Sequence, residues 1–427
     1  MRRNKTLKDK ENTTEELLEE IARLKKELKK KKKYGLVWEE KKEDVVEMCK
    51  EKLPVLIEDK SKAINEAGED APVNILIEGD NYHALSALNY THQGKIDVIY
   101  IDPPYNTGEK DFKYNDKFVD KDDAFKHSKW LSFMSKRLKL AKKLLRQSGI
   151  IFISIDDNEQ SPLRLLSDEI FSEDNLLGTL TWINKTKPVN SGKAKYQIQQ
   201  NTEYIHVYSK KKKKNFEGFD LITQGERNYS VSDGGGLYRL VDIEDSDRGR
   251  KKRDTMKFEI LGIKPGVGKR WKIGFDEITN LIETNRIVVI DRKVKRKIYK
   301  IDESGFVENP FWSHLIDVDT AEDGKKELSN IIGSEHGFDT VKPNNLIMNL
   351  LQHFAKNLYI LDFFAGSGTT SNAVMELNKE DDGKRKFILV TNNENDICTE
   401  VCYPRISKVI KGYKNIKGEK IKDLAGI

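Results

Sequence analysis

Two apolar runs in this chain stop at turns through which an ordinary strand could not continue. Ile96-Asp97-Val98-Ile99-Tyr100-Ile101 runs into Asp102-Pro103-Pro104-Tyr105. Leu358-Tyr359-Ile360-Leu361-Asp362 runs, through Phe363, into Phe364-Ala365-Gly366-Ser367-Gly368. Proline fixes φ and lacks the N–H that a central strand donates, so the first run ends at Ile101. Glycine lets the second run turn sharply and approach a ligand closely. In an open α/β sheet, ligands bind just beyond the carboxyl ends of the strands. The two turns are therefore expected to face one crevice, although more than 250 residues separate them.

The flanking pattern fits such a sheet. Val73–Ile77 reads as a strand ended by Glu78-Gly79-Asp80-Asn81, and a helix carrying Ala84, Leu85, Ala87 and Leu88 follows. Trp130–Arg146 is an amphipathic helix with Leu131, Met134, Leu138, Ala141 and Leu145 on one side. Gly149–Ile155 is a further buried strand. This alternation predicts a doubly wound, mainly parallel, Rossmann-like α/β sheet. It degrades from Thr186 and returns near Val341, so residues 186–340 read as an insertion between a first core half at 51–185 and a second at 341–427.

Residues 1–50 form a polar helical arm in this reading. Thr13 and Glu16 fit a capping box, and Leu17, Ile21, Leu24 and Leu28 make a short a/d-like stripe. Packing on the body, dimerisation and nucleic-acid contact are all open to it.

Charge is uneven along the chain. The formal net charge is +6, but Thr186–Lys300 holds 27 Lys and Arg against 15 Asp and Glu, net +12. Lys210–Lys214, Arg248–Arg253, Lys264–Lys272 and Arg292–Lys300 are the basic clusters. A basic segment on a slightly acidic body suits a polyanion, though solvated loop charge gives the same composition. Three cysteines, Cys49, Cys398 and Cys402, imply neither a disulfide framework nor a metal site. No apolar run reaches the roughly 18 residues needed to cross a bilayer, and Met1–Lys5 leads into charge instead of an apolar signal segment. No membrane partner and a cytoplasmic location are expected.

The chemistry of the first turn is specific. An exocyclic amine on a nucleobase is a poor nucleophile, because its lone pair is delocalised into the ring. Acceptors that hold its two hydrogens favour a tetrahedral, reactive nitrogen. The Asp102 carboxylate can accept one hydrogen and the Pro103 carbonyl the other, while Pro103 and Pro104 bring no competing N–H. Tyr105 offers a ring on which a base can stack, worth roughly 1–3 kcal/mol. A base reaches such a pocket only by leaving the duplex. The second turn is neither G-x-G-x-x-G, because Thr369-Thr370-Ser371 follow Gly368, nor a G-x-x-x-x-G-K-[ST] phosphate loop. It thus disfavours a nicotinamide enzyme and a nucleotide hydrolase.

These strings together resemble the β-class amino-methyltransferases of DNA. The resemblance is greatest to adenine-N6 enzymes related to the modification subunits of type III restriction–modification systems. It rests on Ile101–Gly108 and Asp362–Thr370. Tyr114-Asn115-Asp116, Trp130–Met134, Phe152–Glu159 and Thr202-Glu203-Tyr204 also match that family. The resemblance implies transfer of the methyl group of S-adenosylmethionine (SAM) to the N6 amine of an adenine flipped from double-stranded DNA, with no metal. It implies that Asp102, Pro103, Pro104 and Tyr105 hold and stack the base. Phe364, Ala365, Gly366, Gly368 and Thr369 would form the SAM turn, with Asp362 at the methionine amine and Lys342 closing over the methionine end. Asp80 and Asn81 would meet the adenine of SAM, and Glu394, of Asn392-Asn393-Glu394, the ribose. The basic insertion becomes a target-recognition domain. A homodimer and a helicase-nuclease restriction subunit are the implied partners. A specificity subunit acting mainly as a scaffold, cytosine-N4 methylation by the same geometry, and RNA methylation are the alternatives.

Overall fold

The runs that end in the two motif turns become neighbouring strands at the centre of one sheet. The computed structural model describes residues 36–64, 73–109, 111–211, 219–247, 253–303, 305–333, 336–338 and 340–421. The Leu17–Leu28 stripe, Lys212–Lys214 and Arg248–Lys252 lie outside the described residues, and with them most of the expected helical arm.

Eight strands form the main sheet: β1 (Ile75–Glu78), β2 (Ile96–Ile101), β3 (Leu145–Ile155), β4 (Leu176–Ile183), β5 (Thr202–Ser209), β6 (His314–Leu315), β7 (Tyr359–Asp362) and β8 (Lys386–Thr391). Their order is β1-β8-β7-β2-β3-β5-β4-β6. From β1 to β3 every pairing is parallel; β5 runs antiparallel to both β3 and β4. All six residues of β2 are buried, as its unbroken apolar run requires for a central parallel strand.

The helices sort into two groups. α1 (Asn81–Thr91), α2 (Lys126–Leu144) and α3 (Gln160–Phe171) pack in succession against one another. α4 (Ala321–Ile332), α5 (Asn344–Leu351), α6 (Thr369–Asp381) and α7 (Tyr403–Lys411) form the other group. Parallel crossovers are right-handed. The steps β1–α1–β2 and β2–α2–β3 advance across the sheet one way, and β7–α6–β8 advances the other way. Opposite directions of advance put the two helix groups on opposite faces, which is the doubly wound arrangement expected from the alternation. A core of Leu85, Leu88, Ile99, Ile101, Trp130, Leu138, Ile151, Ile153, Leu361 and Ile388, among others, holds the first group to the sheet.

The insertion differs from its expected limits of 186–340. The separate compact unit is Phe219–Phe311, whereas β5 and α4 belong to the body. β5 is easily overlooked because Thr202-Glu203 opens it and a lysine run follows it. Yet Ile205, His206, Val207, Tyr208 and Ser209 are all buried between β3 and β4.

The unit itself carries an antiparallel sheet ordered Ile287–Ile290, Lys293–Tyr299, Gly236–Asp242, Val231–Asp233. A small core of Ile243, Ile260, Trp271, Ile278, Leu281, Ile287 and Val294 supports it, with the helix Phe275–Glu283.

Candidate active site

The register of β7 against β2 decides how the two turns meet. Leu361 lies opposite Ile99. Both strands run the same way, so Asp102, just beyond β2, and Phe364, two residues beyond β7, leave the same end of the sheet from adjacent strands.

Beyond β2 the chain is gripped on several sides. Trp130 Nε1, on α2, donates to the Pro104 carbonyl at 2.7 Å. The Tyr105 hydroxyl lies 2.8 Å from Asp102 Oδ1 and 2.8 Å from Glu203 Oε2. Lys342 Nζ donates to Asp102 Oδ2 at 2.9 Å, to the Tyr105 hydroxyl at 2.9 Å and to Glu203 Oε2 at 3.1 Å. Asn184 Nδ2 donates to Glu203 Oε1 at 2.7 Å. The Lys342 ammonium also stands 5.0 Å from the centre of the Tyr105 ring and 5.6 Å from that of Trp182.

Electrostatics keeps this cluster charged. Burial works to lower the Lys342 pKa, but the Asp102 and Glu203 carboxylates outweigh it and hold the ammonium above its ordinary value. Burial works to raise Glu203, yet Lys342, with hydrogen bonds from Asn184 and Tyr105, holds it below the usual carboxylate range. Burial, reinforced by Asp102 and Glu203, pushes the Tyr105 phenol well above its ordinary value, so its proton stays on.

Beyond β7 the turn closes on itself. Gly366 and Gly368 adopt φ of +50° and +80°, and a Cβ on Gly368 would come within 3.0 Å of Cys402 Sγ. Phe364 packs in the cluster of Phe133 and Phe363, and Ala365 N donates to Val390 O on β8 at 3.0 Å. Asp362, only 2% exposed, braces this turn from below. It accepts from Phe364 N at 3.0 Å and from Thr370 Oγ1 at 2.6 Å. Burial pushes its carboxyl up to about 7. Thr369 also points inward: its hydroxyl donates to the Lys342 carbonyl at 3.3 Å and accepts from Arg405 at 2.9 Å. The Gly-rich turn and the Lys342 segment are thereby tied together.

The other expected cofactor residues sit at the ends of β1 and β8. Asp80 caps α1, accepting from Tyr82 N at 2.8 Å, and Asn81 Nδ2 donates to the Phe363 carbonyl at 3.1 Å. Glu394 follows β8 and pairs with Lys113 at 2.8 Å, its side chain 42% exposed. Asn393 is committed to the backbone N–H groups of Cys398 and Thr399.

A family model described as DNA methylase matches residues 96–401, which include both turns and everything between them. The chain belongs to the DNA methylase family. Among its relatives is the type III restriction–modification enzyme EcoPI Mod subunit of Escherichia phage P1, 32% identical over 80% of this chain and 60% of that one. Another is the type II methyltransferase M.KpnI of Klebsiella pneumoniae, 33% identical over 78% of this chain and 84% of that one. A crystal structure of the M1.HpyAVI–SAM complex aligns with 78% of this chain and 97% of its own at 15% identity and a TM-score of 0.37. The chain spans about 60% of the length of the EcoPI Mod subunit.

Three residues around the two turns carry little signal in the sequence. Glu203 stands inside Thr202-Glu203-Tyr204, a family match to which no role attaches. Arg137, buried on α2 between Met134 and Leu138, donates to Asn81 Oδ1, and lies 2.7 Å from Glu43 and 3.5 Å from the Phe133 ring centre. A charge within an apolar stripe is its signal. Glu159, wholly buried before α3, accepts from Asn106 Nδ2 at 2.5 Å and lies 2.6 Å from His127 Nδ1. It thus fastens the residue after Tyr105. Among the described residues, no group of three His, Cys, Asp or Glu side chains could hold a metal ion, and no helix is long and apolar enough to cross a membrane.

Proposed function

We propose that this chain methylates the N6 amine of adenine in double-stranded DNA, using SAM. The observation that carries this reading is the β2–β7 register, which sets the base-holding turn beside the Gly-rich turn. Turns that follow adjacent parallel strands can bring an amine and a methyl donor together.

The residues present fit SAM. Gly366, where a Cβ would meet nothing nearer than 3.9 Å, leaves the backbone open after β7, Gly368 lets the turn pack on Cys402, and Asp80, Asn81 and Glu394 supply polar groups at the ends of β1 and β8. When bound, SAM supplies a methyl group on a positively charged sulfur. Everything else falls to the chain. Asp102 and the Pro103 carbonyl accept the two amine hydrogens, freeing the nitrogen lone pair. Tyr105 stacks the flipped base, with its hydroxyl anchored by Glu203 and Lys342. Lys342 aligns Asp102 through one N–H and takes the Thr369 hydroxyl on its carbonyl, so base site and cofactor turn keep one spacing. Asp362 shapes the turn from beneath.

Adenine N6 is preferred to cytosine N4 on the resemblance of Asp102–Tyr105 to the adenine enzymes. The Phe219–Phe311 unit, with Arg292, Lys293, Lys295, Arg296 and Lys300 along one hairpin, is the part that reads the DNA site. A homodimer, and a helicase-nuclease partner for restriction, complete the reading.

Labelled methyl transfer from SAM to unmodified genomic DNA tests it. Incorporation is expected at N6 of adenine within one recognition sequence, which long-read sequencing maps. Incorporation at cytosine N4, or only into RNA, would reject the adenine assignment.

A further inference from the structure

Methylating an amine leaves one proton to be removed. The nitrogen enters with two N–H bonds and leaves with one. Its lone pair forms the N–C bond while the S–C bond breaks and that pair stays on sulfur. The nitrogen becomes strongly acidic as the N–C bond forms, so a carboxylate that takes its proton in the same step lowers the barrier.

The Asp102 cluster has a place for that proton. Tyr105 has one hydroxyl hydrogen, yet two carboxylate oxygens lie 2.8 Å from it, Asp102 Oδ1 and Glu203 Oε2. The hydroxyl can donate to one of them only. It is therefore placed to pass its hydrogen to Glu203 while taking another from Asp102. Lys342 turns its three N–H donors to the three partners Asp102, Tyr105 and Glu203. Two carboxylates and one ammonium carry a net charge of −1, and one added proton makes the cluster neutral. That is the amount each turnover releases. Asn184 holds the far Glu203 oxygen at 2.7 Å.

We propose that Tyr105 and Glu203 form a proton relay that carries off the proton lost by the methylated amine, with Asp102 receiving it first. The relay rests on the reading of Asp102–Tyr105 as the base site. In the step, an N–H bond breaks and an O–H bond forms on Asp102. The Asp102 proton moves to the Tyr105 oxygen as the Tyr105 proton moves to Glu203. Glu203 returns it to water when product leaves. Asp102 touches the substrate; Glu203 acts through Tyr105. Lys342 holds Glu203 ionised in the resting site, ready to accept. Among the described residues, Asp156 after β3, Tyr100 on β2 and Asp362 at the end of β7 are further titratable groups that interact with the cluster. None of these brings a positive charge.

The test is single-turnover methylation of unmodified genomic DNA by the whole chain with labelled SAM, across pH and in H2O and D2O. Tyr105→Phe keeps the ring and removes the hydroxyl; Glu203→Gln keeps the shape and removes the acceptor. Each is expected to slow methylation by roughly a hundredfold with SAM affinity unchanged. The double variant should be no slower than the slower single one. The residual rate should rise with pH, as water takes over the proton. Rates within twofold of the parent, losses that multiply in the double variant, or an unchanged pH profile overturn the relay. If Glu203→Gln loses SAM binding, Tyr105→Phe decides alone. Asp102→Ala separates the two readings: its activity overturns the base site, whereas an inactive Asp102→Ala beside a fully active Tyr105→Phe overturns only the relay.

Discussion

The body and the Phe219–Phe311 unit solve opposite physical problems. In the body, β2 is buried on both faces and ends in a cluster where Lys342 is paired with Asp102 and Glu203; on α2 the buried Arg137 is likewise paired with Glu43. The unit has a small core; Arg239, Arg286 and Lys297 are paired with its own carboxylates, and other basic side chains stand at its surface. Arg292, Lys293 and Lys300 are exposed on or beside the Lys293–Tyr299 strand. Buried charge needs fixed partners, because a lone ion in a poorly solvated site is expensive. Exposed charge needs none and can meet a mobile, hydrated polyanion. On the proposed function, the body holds a few atoms in place and the unit presents charge to DNA.

The largest effect should come from the body. Asp102→Ala is expected to reduce labelled methyl transfer at least a thousandfold while SAM binding and folding persist; substantial activity would break the contrast at its centre.

Lys342→Met sharpens it further. Removing the ammonium strands two carboxylates, so activity should fall and stability drop by about 2 kcal/mol at pH 7, less than for a fully buried pair because Asp102 is partly exposed. Glu203 titrates below its ordinary value in the parent. Its share of stability is present above the ordinary carboxylate range and is lost as pH falls through its lowered value. The gap between parent and Lys342→Met should therefore narrow toward acid. Urea midpoints from pH 7 down to pH 3 check this.

The unit should behave otherwise. Arg292→Ala, Lys293→Ala and Lys300→Ala together are expected to weaken DNA binding about tenfold. Each phosphate that is no longer neutralised should lower the salt slope by about 1, and stability should stay within about 0.5 kcal/mol. A stability loss as large as that of Lys342→Met would erase the distinction.

The last effect, read in stability alone, concerns Asp362. Its carboxyl titrates at about 7 in the fold, against an ordinary value of 3.8. A raised acid binds its proton more tightly in the native state, so its contribution is full below pH 4 and is lost as pH rises to 7. Asp362→Asn, which stays neutral, should gain stability relative to the parent between pH 5 and pH 8. A difference that stays constant across that range would show that Asp362 is not the titrating group.

Much of this site is legible in the chain. Proline after Ile101 and glycine after Phe364 mark where strands stop, because their backbone limits act on the residue itself. Lys342, expected at the methionine end of SAM, reaches Asp102 and Tyr105 through its ammonium and the Gly-rich turn through its carbonyl, contacts that no spacing in the chain announces. Glu203 joins them from a strand whose polar start conceals it. Glu159, Asn106 and His127 come together from three separate elements, with no shared period to announce them. Asp362, expected to face a ligand, is turned into the fold.

By itself, the sequence determined that the runs ending at Ile101, Ile155 and Asp362 are buried strands and that the first and last of them stop at the two turns. Those follow from side-chain period and backbone restriction within a few residues. Only the tertiary structure decided that β7 lies beside β2, with Leu361 opposite Ile99. It also decided that Lys342 and Glu203 close on Asp102, because strand order and register are set by packing across the whole sheet.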